Sequence, residues 1–311
     1  MAAAMTQDRI LMESHFNQAY GPRRNPSWTG SEAENDQSRY RVQRKLHSTL
    51  FGDVVLAHDT VTGQKVVIKT SNQVRVEGTE NPRNEAILMR KLQADGGHVN
   101  LVKFICSSED EKQVRIVMEY LPDDLFKLVS ESGGVPEKTA RKLFMKILAA
   151  VKYLHSKDIA HLDLSLENVL VDHSREEVKL CDFGASKEAK HGQFLKNILA
   201  GKINCASPEI LDGRKVEPFL ADVYSLGSIL FMLLCGHPLY DLETGNGKVA
   251  MRYATSGKKA LRQLITAYGY NEAHPKNPSS DAIDLIARLM AKNPSERIPI
   301  SEIGNHPWLR G

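Results

Sequence analysis

The sequence is poor in cysteine: it has four, Cys106, Cys181, Cys205 and Cys235, and no two of them form a C-x-x-C pair. That excludes a disulfide framework, a zinc ribbon and a small secreted module. No apolar run reaches the roughly 18 residues that span a bilayer. The longest, Leu226 to Cys235 (LGSILFMLLC), reads as a buried helix. The opening residues, MAAAMTQDRI, lack the basic-then-apolar pattern of a signal peptide, and residue 2 is Ala, so the myristoylation signal is missing as well. These absences lead us to expect an intracellular protein, cytoplasmic or nuclear. There is no dense Lys/Arg run and the net charge is only +3, so neither nucleic acid nor a membrane is expected as partner. We find no internal repeat and no low-complexity tract.

What is present is ordinary globular composition, 41 % hydrophobic and 25 % charged. A chain of 311 residues buries a sizeable core without disulfides or metal. At roughly 150 residues per domain it holds about two domains or one large one. Residues 1–39 are polar and irregular and are expected to form a disordered or regulatory extension. Val-rich strand signals follow at Tyr40–Lys45, Asp53–His58 and Gln64–Thr70, with a turn at Thr60–Gly63 between the last two. Asn84–Gln93 is helical, with Ile87, Leu88, Lys91 and Leu92 at helical spacing. Leu101–Cys106 and Gln113–Tyr120 read as strands. From Leu125 the pattern turns helical, over Glu137–His155, Ala221–Leu234 and Ser280–Lys292. A strand-rich part thus precedes a helix-rich part.

Four stretches then stand in order: VVIK at Val66–Lys69, HLDLSLEN at His161–Asn168, DFG at Asp182–Gly184 and SPE at Ser207–Glu209. Together they resemble the signature set of a eukaryotic protein kinase domain. The resemblance covers about residues 40–309, and the HPWL at His306–Leu309 brings it closest to the calcium/calmodulin-dependent group of Ser/Thr kinases. It implies an α+β, two-lobed protein kinase fold. A small antiparallel sheet with one helix would form the N-lobe, 40–120. A larger, mostly helical C-lobe would span 121–309.

The resemblance also implies a site for ATP and Mg²⁺. Phosphoryl transfer is mainly positioning and charge neutralisation. Lys69 would reach the α- and β-phosphates, with Glu85 as its counter-charge. Asp182 would hold Mg²⁺, a hard cation that prefers carboxylate oxygens, and Asn168 would add a neutral oxygen. Asp163 would accept or orient the proton of the substrate hydroxyl. Val54, Val67 and Leu170 would line the adenine site, Met118, Glu119 and Leu121 its hinge, and Asp124 the ribose. Gly52 would lie in the loop over the phosphates. Glu209 would pair with Arg297, and Asp222 would anchor the catalytic loop. His161, Phe183, Met89 and Phe104 correspond to the apolar column that joins the lobes in the family.

The sequence departs from the family at several points. The Gly-rich loop is HSTLFGDV, with His47 and Thr49 in place of the first two glycines, and Val67 replaces an Ala, so weaker ATP binding is expected. Leu162 replaces the Arg that receives an activation-loop phosphate, and Lys187 to Asn204 contains no Ser, Thr or Tyr. Activity without activation-loop phosphorylation is therefore expected. Ser165 replaces the catalytic-loop Lys of Ser/Thr kinases, while Lys202 stands where the family has a Thr beside the catalytic Asp. Lys202 is a candidate for the missing amine; a solvated Lys on a loop is the other reading. The Glu-Asn of Glu167–Asn168 favours Ser/Thr over Tyr, and Asp124 with Glu167 suggests basic residues upstream of the phosphosite. Cys181 precedes DFG and is read as inert packing. His155, His161 and His173 make a poor zinc set without a thiol pair. We expect a monomeric enzyme that phosphorylates proteins. The alternatives are a pseudokinase acting as scaffold, favoured by the lost glycines, Leu162 and Ser165, and a small-molecule kinase of the same fold.

Overall fold

A computed structural model of the chain describes residues 39–49, 52–72, 81–174, 176–198, 201–240, 247–271, 274 and 276–311. The expected extension lies outside the described residues except for Arg39. That residue is anchored, contrary to the sequence reading: its guanidinium donates to both carboxylate oxygens of buried Asp59, at 3.0 and 2.8 Å. This fork-on-carboxylate contact holds the Asp59 carboxyl well below the usual carboxylate range.

The chain divides into two compact units. The first holds β1 (Tyr40–Ser48), β2 (Gly52–Asp59), β3 (Lys65–Asn72), α1 (Pro82–Ala94), β4 (Phe104–Glu109) and β5 (Gln113–Glu119). The strands form one sheet in the order β1-β2-β3-β5-β4, antiparallel throughout. Register sets Val54 opposite Lys69, Leu56 opposite Val67, and Val67 opposite Met118. Because side chains alternate along a strand, Val54, Leu56, Val67, Lys69, Ile116 and Met118 share one face. Ala57, Val66, Ile68 and Val117 share the other, in one apolar cluster with Tyr40. Helix α1 starts where the Asn81 side chain accepts the Asn84 N–H and Pro82 opens the first turn. It buries Glu85, Leu88, Met89 and Leu92 and packs on β4 and β5. Ile87, which the spacing assigned to the apolar set, is exposed instead.

The expected strand Leu101–Cys106 is also redrawn. The segment His98–Val102 belongs to the second unit. There Val102 N–H donates to Leu180 O (2.9 Å), Leu180 N–H to Asn100 O (2.8 Å), and His98 stacks on Tyr153. Strand β4 begins only at Phe104. Apolarity alone did not reveal that the stretch changes partner halfway.

The second unit is mostly helical: α2 (Leu125–Ser132), α3 (Glu137–Ser156), α4 (Pro208–Leu211), α5 (Pro218–Cys235), α6 (Gly247–Ala254), α7 (Lys258–Ala267), α8 (Ser280–Leu289), α9 (Ile300–Ile303) and α10 (Pro307–Arg310). The strands β6 (Asp123–Asp124), β8 (Val169–Asp172) and β9 (Glu177–Leu180) form a three-stranded sheet, and β7 (Ile159–Ala160) pairs with β10 (Lys187–Glu188). Helix α8 stops short of the expected Lys292, because Arg288 O turns out to accept the N–H of Ile298.

Helix α5 is the core of this unit. It is 18 residues long and apolar enough to cross a membrane by length and composition, which corrects the shorter run read from the sequence. The structure buries 94 % of it against protein, packed on α3 and α8. Leu226, Ile229, Leu230, Phe231 and Leu233 are fully buried, each contributing about 1.5–3 kcal/mol. Glu217 caps its start, and Gly236 in the left-handed region closes its end.

Candidate active site

In the first unit, β3 presents Lys69 on the sheet face toward which α1 presents Glu85. The Lys69 amine lies 3.1 Å from Glu85 Oε1 and 2.9 Å from Oε2, with both side chains buried. A buried ammonium is costly without a hydrogen-bonded counter-charge, and Glu85 supplies it. Val54, Val67 and Met118 flank Lys69 on the same face and are buried. Glu119 closes β5, and its Oε1 accepts the Lys103 N–H. Met89 and Phe104 are buried in the same unit.

The glycine-poor loop has its described ends, Thr49 and Gly52, joined to each other. Thr49 N–H donates to Gly52 O (2.7 Å), and Gly52 N–H donates to Thr49 Oγ1 (3.1 Å). Sequence reasoning noted Thr49 only as a lost glycine; its hydroxyl in fact engages a backbone donor of the loop. Gly52 persists for a second reason, since a Cβ there would lie 1.9 Å from the carbonyl oxygen of Thr70. Gly52→Ala is therefore expected to force β2 off β3 and to destabilise the protein by about 1–3 kcal/mol. Thermal unfolding checks this, and an unchanged midpoint would show that the strand pair yields freely.

In the second unit, α5 holds the loop before β8 from below. The fully buried Asp222 carboxylate accepts the N–H of His161 and of Leu162, each at 2.8 Å, and lies 2.8 Å from His155 Nε2. His155 is thus a positioning partner that the sequence reading took only for a helix-end residue. Three donors on one carboxylate fix the loop in spite of Leu162 sitting at φ +63°. Asp163 follows. Its Oδ2 accepts from Asn168 Nδ2 (2.8 Å) and its Oδ1 from the Lys202 N–H (3.1 Å). Burial pushes the Asp163 carboxyl above the usual range; nearby Lys202 opposes this and Asp182 adds to it.

Asn168 spends its amide nitrogen on Asp163, which turns its amide oxygen to the opposite side. Asp182 sits at φ +63° and accepts the Gly184 N–H on Oδ1. Among the described residues no group of three or more His, Cys, Asp or Glu side chains forms a metal cage, so His155, His161 and His173 do not make one. One carboxylate and one amide oxygen nevertheless fit Mg²⁺, which takes few protein oxygens and completes its shell with phosphate and water. His161 and Phe183 rings lie 5.5 Å apart, and His161 Nε2 lies 3.0 Å from Cys181 O. Asp124 pairs with Leu170 across β6 and β8, and its Oδ1 caps α2 through the Lys127 N–H. Leu121 is buried nearby in sequence.

The segment after DFG is held by apolar contacts. Leu162 packs in one cluster with Ala189, Ile198, Ala206, Ile210 and Phe219, and Leu195 packs against it. Ser186 and Ser207, the hydroxyls flanking the segment, are fully buried. Farther on, Arg297 makes a bidentate pair with Glu209, at 2.7 and 2.8 Å, with both side chains buried. The Glu209–Arg297 pair was named from the sequence; the apolar partners of Leu162 were not. Ser165 and Lys202, paired in the sequence reading as a lost and a gained Lys, meet: Ser165 Oγ takes a hydrogen bond from the Lys202 amine at 2.9 Å.

Comparison with known proteins agrees with this architecture. Residues 40–309 match the protein kinase domain family. The chain is 34 % identical over 274 residues to the SNF1-related protein kinase catalytic subunit alpha KIN12 of Arabidopsis thaliana, covering 87 % of this chain and 51 % of that protein. It is 32 % identical over 279 residues to the carbon catabolite-derepressing protein kinase of Candida tropicalis, covering 89 % and 42 %. It is 34 % identical over 274 residues to the serine/threonine protein kinase OSK3 of Oryza sativa subsp. indica, covering 87 % and 50 %. The chain thus spans about half the length of these relatives. A matched family domain over most of the chain, on an antiparallel sheet unit and a helical unit, shows that this chain belongs to the protein kinase family.

Proposed function

We propose that the chain is an active Ser/Thr protein kinase that transfers the γ-phosphoryl group of Mg·ATP to protein hydroxyls. The buried, bidentate Lys69–Glu85 pair carries this reading, since a protein kinase needs that pair in place to engage the phosphates. Lys69 holds the α- and β-phosphates. Asp182 and Asn168 hold Mg²⁺, which when bound neutralises charge on the phosphates. Asp163, fixed from two sides, orients the acceptor hydroxyl and takes its proton. By the family resemblance, Val54, Val67, Met118 and Glu119 of the first unit are assigned to the adenine, and of the second unit Leu170 and Leu121 to the adenine and Asp124 to the ribose. The Thr49 and Gly52 N–H groups bond to each other's residue rather than to a phosphate, which supports weak ATP binding.

Activity is independent of activation-loop phosphorylation in this proposal. The support is Leu162, which anchors the segment through apolar packing where the family uses a phosphate receiver. A preference for basic residues upstream of the phosphosite rests on Asp124 and Glu167, and the Lys202 amine 3.5 Å from Glu167 works against it. The likeness to the calcium/calmodulin-dependent group rests on the His306–Leu309 motif, whose Trp308 is buried and donates from Nε1 to Glu137.

The test is transfer to a mixed Ser/Thr peptide library by the unphosphorylated full chain at millimolar ATP, with and without a chelator. We expect Mg²⁺-dependent labelling of Ser or Thr. Labelling that appears only after a site-specific phosphate is installed would remove the claim of independence. No transfer and no Mg·ATP binding would replace the kinase reading with the scaffold alternative.

A further inference from the structure

We infer that Lys202 is a catalytic residue that contacts the transferred phosphoryl group, its amine delivered from the segment after DFG to the place of the missing catalytic-loop lysine. This deepens the kinase reading and rests on it. The Lys202 amine lies 2.9 Å from Ser165 Oγ, at the position where Ser/Thr kinases carry that lysine. The Lys202 backbone N–H donates to Asp163 Oδ1 at 3.1 Å, so one residue gives both a brace for the acceptor-orienting carboxylate and a cation beside it. Gly201 makes the approach feasible. It sits at φ +88°, and a Cβ there would meet Leu162 O at 3.0 Å, so the chain is pressed against the catalytic loop just before Lys202. Ser165 is fully buried and carries no charge. The other partner of the amine is Glu167 at 3.5 Å, in a pair more than a third exposed on each side; a contact of that kind is weak and does not by itself fix the amine.

In the step, the acceptor oxygen bonds to the γ-phosphorus while the bond from that phosphorus to the β–γ bridging oxygen breaks. The electron pair leaves with ADP, and the hydroxyl proton passes to Asp163. Lys202 exchanges no proton. Its charge stabilises the negative charge spread over the γ-oxygens.

The test uses the full chain in the Mg·ATP peptide assay. Lys202→Met should lower kcat roughly 10- to 150-fold, the range of one charged hydrogen bond, with the melting temperature and the KM for peptide unchanged. Lys202→Arg should retain part of the rate, and the exchange Ser165→Lys with Lys202→Thr should recover at least tenfold of the loss. A kcat for Lys202→Met within threefold of wild type overturns the proposal. So does a loss matched by thermal destabilisation, or one that the exchange does not restore. Silence of the wild type itself would overturn the kinase reading instead, which separates the two failures.

Discussion

Asp163→Asn is expected to lower kcat by about 10²- to 10⁴-fold, the range of a positioned general base. The substitution keeps size and removes the ability to take a proton. In the wild type, both carboxylate oxygens accept, from Asn168 Nδ2 and from the Lys202 N–H. An Asn offers one acceptor where two donors converge, so orientation suffers along with basicity. Burial raises this carboxyl above the ordinary range, with nearby Lys202 opposing it. The loop itself should persist, because Asp222 holds it through His161 and Leu162 rather than through Asp163. Steady-state kinetics at saturating peptide, beside a melting curve, decides the matter. A loss below tenfold with an unchanged melting temperature would show that Asp163 is not the acceptor-orienting group.

Arg297→Ala should have the largest effect on stability, about 3–5 kcal/mol, because it leaves a buried carboxylate without its partner. Beyond the two bonds to Glu209, the guanidinium donates to Ala291 O at 3.0 Å and Leu220 O at 2.7 Å, and its centre lies 5.0 Å from the middle of the Tyr224 ring. Three stretches distant in sequence thus meet on one side chain. For a unit of this size, the loss corresponds to a melting temperature lower by roughly 6–20 °C. Replacing both partners by Met should recover much of it, since the pair is costly chiefly when one member is left alone. Calorimetry of the three proteins checks this, and a drop below about 2 °C for Arg297→Ala would show that solvent reaches Glu209.

How legible the protein was depends on the kind of residue. Short motifs carry their own geometry. The Val-rich run around VVIK put Lys69 on a strand, and NEAILM put Glu85 on a helix, so their meeting followed once the family was seen. Asp163, Asn168 and Asp182 were likewise readable, because the two apolar strands between them pair antiparallel, Val169 opposite Leu180, and bring their flanks together. The sequence was less informative where an element divides its contacts. The stretch from Leu101 to Cys106 is apolar apart from Lys103, yet Leu101 and Val102 pair with β9 while Phe104 starts β4. Ile87 has the right spacing and the wrong side. Arg39 looked like part of a polar tail, and one buried Asp on a neighbouring strand captures it.

By itself the sequence determined the class of fold, the order of its strand-rich and helix-rich parts, the family and the charged residues of the site. These depend on local periodicity and on motifs whose members lie a few residues apart. Only the tertiary structure decided what the substituted positions do. Leu162 became the centre of an apolar anchor because Ala189 and Ile198, well downstream, close around it. Lys202 became a neighbour of Ser165, 37 residues away, because Gly201 bends the chain against the catalytic loop. The motif positions had already made Lys202 a candidate for the missing amine, but the contact distances are set by how the chain returns on itself, and no local pattern records those.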